Sequence, residues 1–177
     1  KIAAVKNNIF GTFSLIKSLK KNVKNFIFIS TDKAANPKNT LGITKRFSEL
    51  LCIYYSKILK TKFSIVRFGN VFGSRGSAIE IFENQIKQNI PITLTNLKVE
   101  RYFMSITEAC NLVMQCAKLK ENAEIFILDM GRPMKVIKII EKLSKFYGKD
   151  NHPIKITKLG KMEKLKEILT TSRKRIK

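Results

Sequence analysis

Apolar residues recur along the chain in two alternating rhythms, and the switches between them outline its elements. Ile2, Val5, Ile9, Phe13, Ile16 and Leu19 fall at helical spacing and predict a helix over residues 2–20. The small pair Gly11-Thr12 in its middle predicts close packing against a neighbour. Asn22 to Asn25 then turn the chain into Phe26-Ile27-Phe28-Ile29-Ser30, an apolar run that reads as a buried strand. A second helix is expected from about Gly42 to Lys60, with Phe47, Leu50, Leu51, Tyr54 and Leu59 on its apolar face. Strand returns at residues 63–68. Strand, helix and strand in succession make a βαβ unit, whose two strands should lie side by side and parallel.

Beyond it, GNVFGSRGS at 69–77 is a loop of glycine and small polar residues. A helix over 79–87, a short strand at 92–95 and a helix at 106–119 capped by Ser105 or Thr107 follow. Glu124 to Asp129 reads as a third strong strand, ended by Gly131, and 136–147 as another helix. The tail predicts a strand at 154–157 and a lysine-rich helix from Lys161 that frays into SRKRIK. Without repeats or a low-complexity linker, residues 1–177 read as one unit. In it 1–90 carry the sheet and 91–177 mostly a second part, with strand 124–129 returning to the sheet. The helical pattern is already under way at Lys1, which is not a methionine, so the chain reads as a fragment. No run of about 18 apolar residues is present, so no membrane-spanning segment is expected.

Composition adds two constraints. The chain has 177 residues, 44% hydrophobic and 27% charged, which is enough for one globular domain with a real core. Its net charge of +22 invites a polyanion partner. Yet only seven of its 35 basic residues are arginine, the residue best suited to forked phosphate recognition. Lysines such as Lys17, Lys20, Lys57, Lys138 and Lys142 fall on the polar faces of the expected helices, so a solvated surface is the better reading and nucleic acid is disfavoured. Cys52, Cys110 and Cys116 lack metal-ligand spacing and read as small buried side chains in a reducing compartment; no metal site is expected. His152, before Pro153, reads as an exposed loop residue without partners.

Candidate chemistry gathers at Thr31-Asp32-Lys33, where a hydroxyl, a carboxyl and an amine follow the first strand directly. Open α/β sheets place their chemistry at the carboxyl ends of strands. Asn36-Pro37 and Asn39 make a turn after it, and Lys45 lies in the first turn of the next helix.

These residues carry a family likeness. AVKNNIFGT at 4–12, ISTDKAANPKNTLGITKR at 29–46, VRFGNVFGSRGS at 66–77, RYFMSITEA at 101–109 and EIFILDMGRPMKV at 124–136 occur in consistent order. Through them the chain resembles the extended short-chain dehydrogenase/reductase superfamily and, within it, the nucleotide-sugar 4,6-dehydratases of polysaccharide biosynthesis. The branch it resembles is that of the CapD-like, inverting UDP-N-acetylglucosamine 4,6-dehydratases. LGKMEKLKEIL at 159–169 looks like a decayed form of the family's GLRPGEKLYEEL-type segment. The resemblance implies an α/β fold: the C-terminal part of a Rossmann-type parallel sheet with a small substrate-binding part, the first βα units missing. No G-x-G-x-x-G is present; in the family it lies in the first βα turn, about a hundred residues before Lys1. NAD(P) is therefore the implied cofactor, and the isolated chain is expected to bind it poorly.

Roles follow from the same resemblance. Asp32 would protonate the departing C6 hydroxyl and Lys33 would remove the C5 proton, which a ketone at C4 makes acidic. A lysine amine works as a base where burial or nearby positive charge favours its neutral form, and Lys45 is the candidate for that charge. Lys45 also matches the lysine that holds the nicotinamide ribose, and Thr31 the hydroxyl that bonds the C4 hydroxyl. Leu41 occupies the position of the superfamily tyrosine in Y-x-x-x-K, so no phenol is available there. Asn70 matches a residue that contacts the sugar nucleotide, and Arg101 one that binds its diphosphate, with Arg75 helping. Asn8 resembles a helix asparagine that supports the catalytic corner. The implied partner is a UDP-sugar, an oligomer of identical copies is compatible, and the implied location is cytoplasmic. Long family members carry membrane helices ahead of this domain. Two alternatives stay open: an epimerase of the same superfamily, and a non-catalytic basic remnant.

Overall fold

A computed structural model describes residues 1–74, 76–160 and 162–168. In chain order the elements are helix α1 (Ile2–Ala4), a π-helical turn (Val5–Phe10), α2 (Gly11–Lys17), strand β1 (Asn25–Thr31), a 3-10 turn (Asp32–Ala34), α3 (Thr40–Tyr55) and β2 (Lys62–Phe68). Then come β3 (Asn70–Val71), α4 (Ala78–Lys87), β4 (Ile92–Leu94), β5 (Glu100–Arg101), β6 (Phe103–Met104) and α5 (Ile106–Lys118). The chain continues with β7 (Glu124–Ile127), β8 (Met134–Lys135), α6 (Val136–Phe146) and β9 (Ile154–Ile156). No helix among the described residues is long and apolar enough to cross a membrane.

The chain forms two compact units, each discontinuous in sequence. Among the described residues the first holds Lys1–Phe68, Glu108–Asp129 and Ile168; the second holds Gly69–Thr107 and Met130–Glu167. The reason is topological. Parallel neighbours cannot be joined by a hairpin and need a long crossover, and the connection from β2 to β7 passes through the second unit and α5.

The first unit is built on a parallel sheet of order β1-β2-β7. Asn25 pairs with Lys62 through to Thr31 with Phe68, and Ser64 pairs with Glu124 through to Arg67 with Ile127. The expected βαβ unit is thus β1-α3-β2, and the strand at 124 lies beside β2. As the central strand, β2 is buried from Phe63 to Arg67, which its near-continuous apolar run requires. Ile16, Phe28, Cys52, Phe63 and Ile65 form the core beneath it. The second unit has three two-stranded pairings: β3 with β6 and β4 with β9, both parallel, and β5 with β8, antiparallel. Its core is Phe82, Ile86, Ile92, Leu94, Val99, Val136 and Ile140.

Several expectations are corrected. Of the expected apolar face, Leu51 on α3 and Leu59 beyond it pack on the core, but Phe47, Leu50 and Tyr54 are 49%, 48% and 59% exposed, whereas Gly42, Thr44, Ser48, Glu49 and Cys52 are buried. Polar partners on β1, β2 and the N-terminal helix hold the inner face around Ser48 and Glu49, so hydrophobic periodicity does not mark that part of it. In the middle of the first helix Thr12 is buried, but a side chain at Gly11 would meet only the Lys6 carbonyl, at 3.7 Å. The lysine-rich tail is not helical over 162–168; Lys166 forms a bridge to Glu100, whose N–H donates to the Leu165 carbonyl (2.8 Å). Lys161 and 169–177 lie outside the described residues. His152 is half-buried and within 2.9 Å of the Ile90 carbonyl.

Among the cysteines, Cys52 and Cys116 are buried and Cys110 is exposed. Burial pushes the Cys52 thiol up to about 12 and raises that of Cys116 as well. Thiolate is the reactive form, so one of the three thiols should react rapidly with a disulfide reagent in the native chain. The other two should react only on unfolding. A count above one in native buffer would contradict this burial.

Candidate active site

The candidate corner begins where β1 ends. Thr31 is the last extended residue, and its hydroxyl accepts from the Lys33 N–H at 3.4 Å, capping the 3-10 turn. That turn carries Asp32 inward, where its side chain is fully buried beside a Lys33 side chain left 22% exposed. Asp32 Oδ1 accepts from Thr31 Oγ1 at 2.8 Å and from Lys33 Nζ at 2.9 Å. Its Oδ2 is buried with no hydrogen-bond partner. Such an orphan costs about 1–3 kcal/mol, and in a folded protein it calls for an explanation such as a catalytic role. The three residues are therefore one connected group, with a vacant acceptor on the carboxyl.

The first turn of α3 packs directly on this group. Asn39 Oδ1 caps the helix by accepting from the Gly42 N–H at 2.9 Å. A Cβ on Gly42 would lie 2.4 Å from the Lys33 carbonyl oxygen, so only glycine fits there. Leu41, at the tyrosine position, is 43% exposed and offers no proton. One turn on, Lys45 Nζ donates to the Ile29 carbonyl at 2.8 Å and lies 4.8 Å from the Phe28 ring centre. Burial lowers its pKa, with the Glu49 charge opposing. Lys45 is thus fixed to β1 two residues before Thr31, and one ammonium bond leaves donors for a ribose diol. That donor chemistry suits a nicotinamide ribose, although the sequence has no G-x-G-x-x-G run to accompany it.

Asn8 acts on α3. Its amide donates to Thr44 Oγ1 at 2.9 Å, and its carbonyl accepts from Ser48 Oγ and Thr12 Oγ1, both at 2.6 Å. It sits in the π-helical turn, a rare widening found often at functional sites. Sequence reasoning missed a buried polar group beneath the corner. Glu49 accepts from Arg67, Ser30 and Arg46, with Arg67 gripping both carboxylate oxygens at 2.7 and 2.5 Å. Burial pushes the Glu49 pKa up, but these three donors outweigh it and hold it below the ordinary value. The signal was an arginine inside the apolar run KFSIVRF.

In the second unit a cavity of about 460 Å³ is lined by Asn70, Ser77, Phe82, Thr95, Arg101 and Glu163, among others. That volume is in the range of small-molecule sites. Arg101 Nη1 donates to the carbonyls of Glu100 (2.8 Å) and Leu165 (3.1 Å), and its Nη2 lies 3.4 Å from Glu163 Oε1. Glu163 also accepts from Thr95 Oγ1 at 2.9 Å. Asn70 and Arg101 therefore line one cavity. Glu163 was not singled out from the sequence, although it lies in the segment LGKMEKLKEIL. Arg75 lies outside the described residues. Among the described residues no cluster could hold a metal ion.

Comparison with known proteins places this geometry. The family model described as "Polysaccharide biosynthesis protein" matches residues 1–177. The probable polysaccharide biosynthesis protein EpsC of Bacillus subtilis is 44% identical over 169 residues, which are 94% of this chain and 28% of that protein. The capsular polysaccharide biosynthesis protein CapD of Staphylococcus aureus is 45% identical over 155 residues, 86% of this chain and 26% of its own length. The chain thus spans little more than a quarter of these relatives. Among solved structures, Pen from Bacillus thuringiensis matches with a TM-score of 0.85 at 40% identity, over 96% of this chain and 54% of that one. A UDP-glucuronic acid 4-epimerase from Bacillus cereus, in complex with UDP-glucuronic acid and NAD, matches with a TM-score of 0.82 over 92% of this chain and 58% of its own. At 24% identity it shows the fold alone, a Rossmann-type α/β fold. The chain belongs to the polysaccharide biosynthesis protein family, in which EpsC and CapD are its relatives.

Proposed function

We propose that this chain carries the acid–base and substrate-binding residues of a nucleotide-sugar 4,6-dehydratase acting on UDP-N-acetylglucosamine. The observation that carries the reading is the Thr31–Asp32–Lys33 group, with its vacant, buried Asp32 Oδ2. A nicotinamide, its ribose held by Lys45, would supply the hydride chemistry between C4 and C6 of the sugar. Thr31 binds the C4 hydroxyl, and its bond to Asp32 Oδ1 gives the departing proton a path to that carboxylate. This route needs no phenol at Leu41. Lys33 takes the proton from C5 and later returns it. Asp32 delivers its proton to the C6 hydroxyl, which leaves as water. Lys45 would hold the nicotinamide ribose, and Asn70 and Arg101 the nucleotide, in a cavity whose guanidinium suits a diphosphate.

Epimerisation at C4 is the second reading, favoured by the fold shared with a 4-epimerase. It needs neither an acid at C6 nor a base at C5, so it leaves the Asp32–Lys33 pair without a task. The test is incubation of the protein at its full natural length with NAD and UDP-N-acetylglucosamine, followed by NMR of the sugar. A 4-keto-6-deoxy product is expected. A C4 epimer in its place would establish the second reading, and unchanged substrate would overturn both.

A further inference from the structure

We infer that the buried Glu49–Arg67 pair is a positioning device that grips the backbone on both sides of Thr31-Asp32-Lys33. The residue before that triplet, Ser30, donates its hydroxyl to Glu49 Oε1 at 2.6 Å. The residue after it, Ala34, offers its carbonyl to Arg67 Nη2 at 3.5 Å. Between these two grips stands the forked ion pair, Arg67 Nε to Glu49 Oε1 at 2.7 Å and Nη2 to Oε2 at 2.5 Å. Arg46 adds a third cationic contact at 2.9 Å. None of these groups bonds the side chains of Thr31, Asp32 or Lys33, so their action on chemistry goes through the backbone. The inference rests on the dehydratase reading for what the triplet does, but the grip itself is a property of the fold.

Two physical points favour positioning over bulk stability. The Glu49 and Arg67 side chains are 0% and 6% exposed, and a buried ion pair is often no more stable than apolar residues of the same volume. Its best-attested benefit is to fix one arrangement among several. The fork is also directional: planar guanidinium and carboxylate lock their relative orientation where a lysine would act as a point charge. Here that lock joins β1, β2 and α3, the three elements that surround the triplet. Small misplacements of reacting groups cost rate steeply, so a rigid clamp at this place has a clear use.

The test uses the protein at its full natural length with Glu49→Gln, Arg67→Lys and Ser30→Ala, and Phe63→Leu as a core variant away from the polar group. Without substrate, amide exchange at Lys33 and Ala35, the N–H groups of the turn, should quicken about tenfold in Glu49→Gln and Arg67→Lys. The β2–β7 ladder should keep its protection. Equal loss of protection in turn and ladder would reduce the pair to general stability and overturn the proposal. With UDP-N-acetylglucosamine, kcat should fall about 10- to 100-fold and KM should stay within about threefold. Phe63→Leu, at a similar loss of Tm, should keep kcat within about threefold. Wild-type kcat in Arg67→Lys would show that charge suffices and would likewise overturn it. If Glu49→Gln does not fold, Ser30→Ala decides: the turn must exchange faster while the ladder does not, and no change refutes the grip. An inactive wild type refutes the dehydratase reading, while the exchange arm still decides the clamp.

Discussion

Asp32→Asn and Lys33→Ala, made in the full-length protein, should each lower formation of the 4-keto-6-deoxy sugar by about 10³-fold, within the range for losing a positioned acid or base. The two failures should differ in kind. Asparagine keeps the shape of the side chain and can still meet Thr31 and Lys33, but it cannot accept a proton through Thr31 or deliver one to the C6 oxygen. Alanine at Lys33 removes the base, so solvent deuterium should no longer enter C5. A small primary amine added to Lys33→Ala should restore part of that exchange, because the cavity left by the side chain is partly open to solvent. Both variants should fold. Among the described residues the Asp32 side chain bonds only to its two chain neighbours, so no distant element is released. Lys33→Ala with a tenth or more of the wild-type rate would remove lysine from the mechanism.

Gly42→Ala should both destabilise the protein and cripple the corner, and the sign of the effect is the informative part. In an unconstrained helix, alanine for glycine stabilises by about 1 kcal/mol. Here the added methyl would sit 2.4 Å from the Lys33 carbonyl oxygen, 3.1 Å from its carbonyl carbon and 3.3 Å from Pro37 Cα. All three are backbone atoms and cannot rotate away as a side chain would. Overpacking of this kind costs about 1–3 kcal/mol, which outweighs the gain in propensity. The relief available is movement of the Lys33 backbone, and a shift near 1 Å at a reacting group costs about 10²-fold in rate. Urea melts paired with the product assay should show both losses; a neutral or stabilising Gly42→Ala would mean that α3 does not rest on the turn.

Much of this was legible in the sequence, for reasons that differ between elements. The strands β1, β2 and β7 announced themselves by the apolar runs typical of parallel sheets, although only β2 is buried almost throughout. Thr31, Asp32 and Lys33 were legible because they follow such a run at once. The orientation of α3 was not. Its inner face pairs hydroxyls and a carboxylate with partners on β1, β2 and the N-terminal helix, and those partners lie far off in sequence. Periodicity alone therefore put Phe47 and Tyr54 on the wrong side. The tail failed similarly. Its apolar residues Met162, Leu165, Ile168 and Leu169 fall at helical spacing, but the backbone of Leu165 and Lys166 is spent on β5. Glu163 is drawn to Thr95 and Arg101 by pairings no local pattern encodes.

The place of β7 beside β2 has a consequence for how the chain acquires its structure. β1, α3 and β2 are contiguous, so their contacts close early and locally during synthesis. The far edge of β2 must wait until α4, β4 and α5 have emerged before β7 arrives to cover it. In that interval a hydrophobic strand with unpaired backbone groups is open to other nascent chains, the condition under which intermediates aggregate. Contacts between residues so far apart in sequence also slow folding. Yield on expression should therefore depend on temperature and chaperone supply more steeply than the finished sheet's stability would indicate.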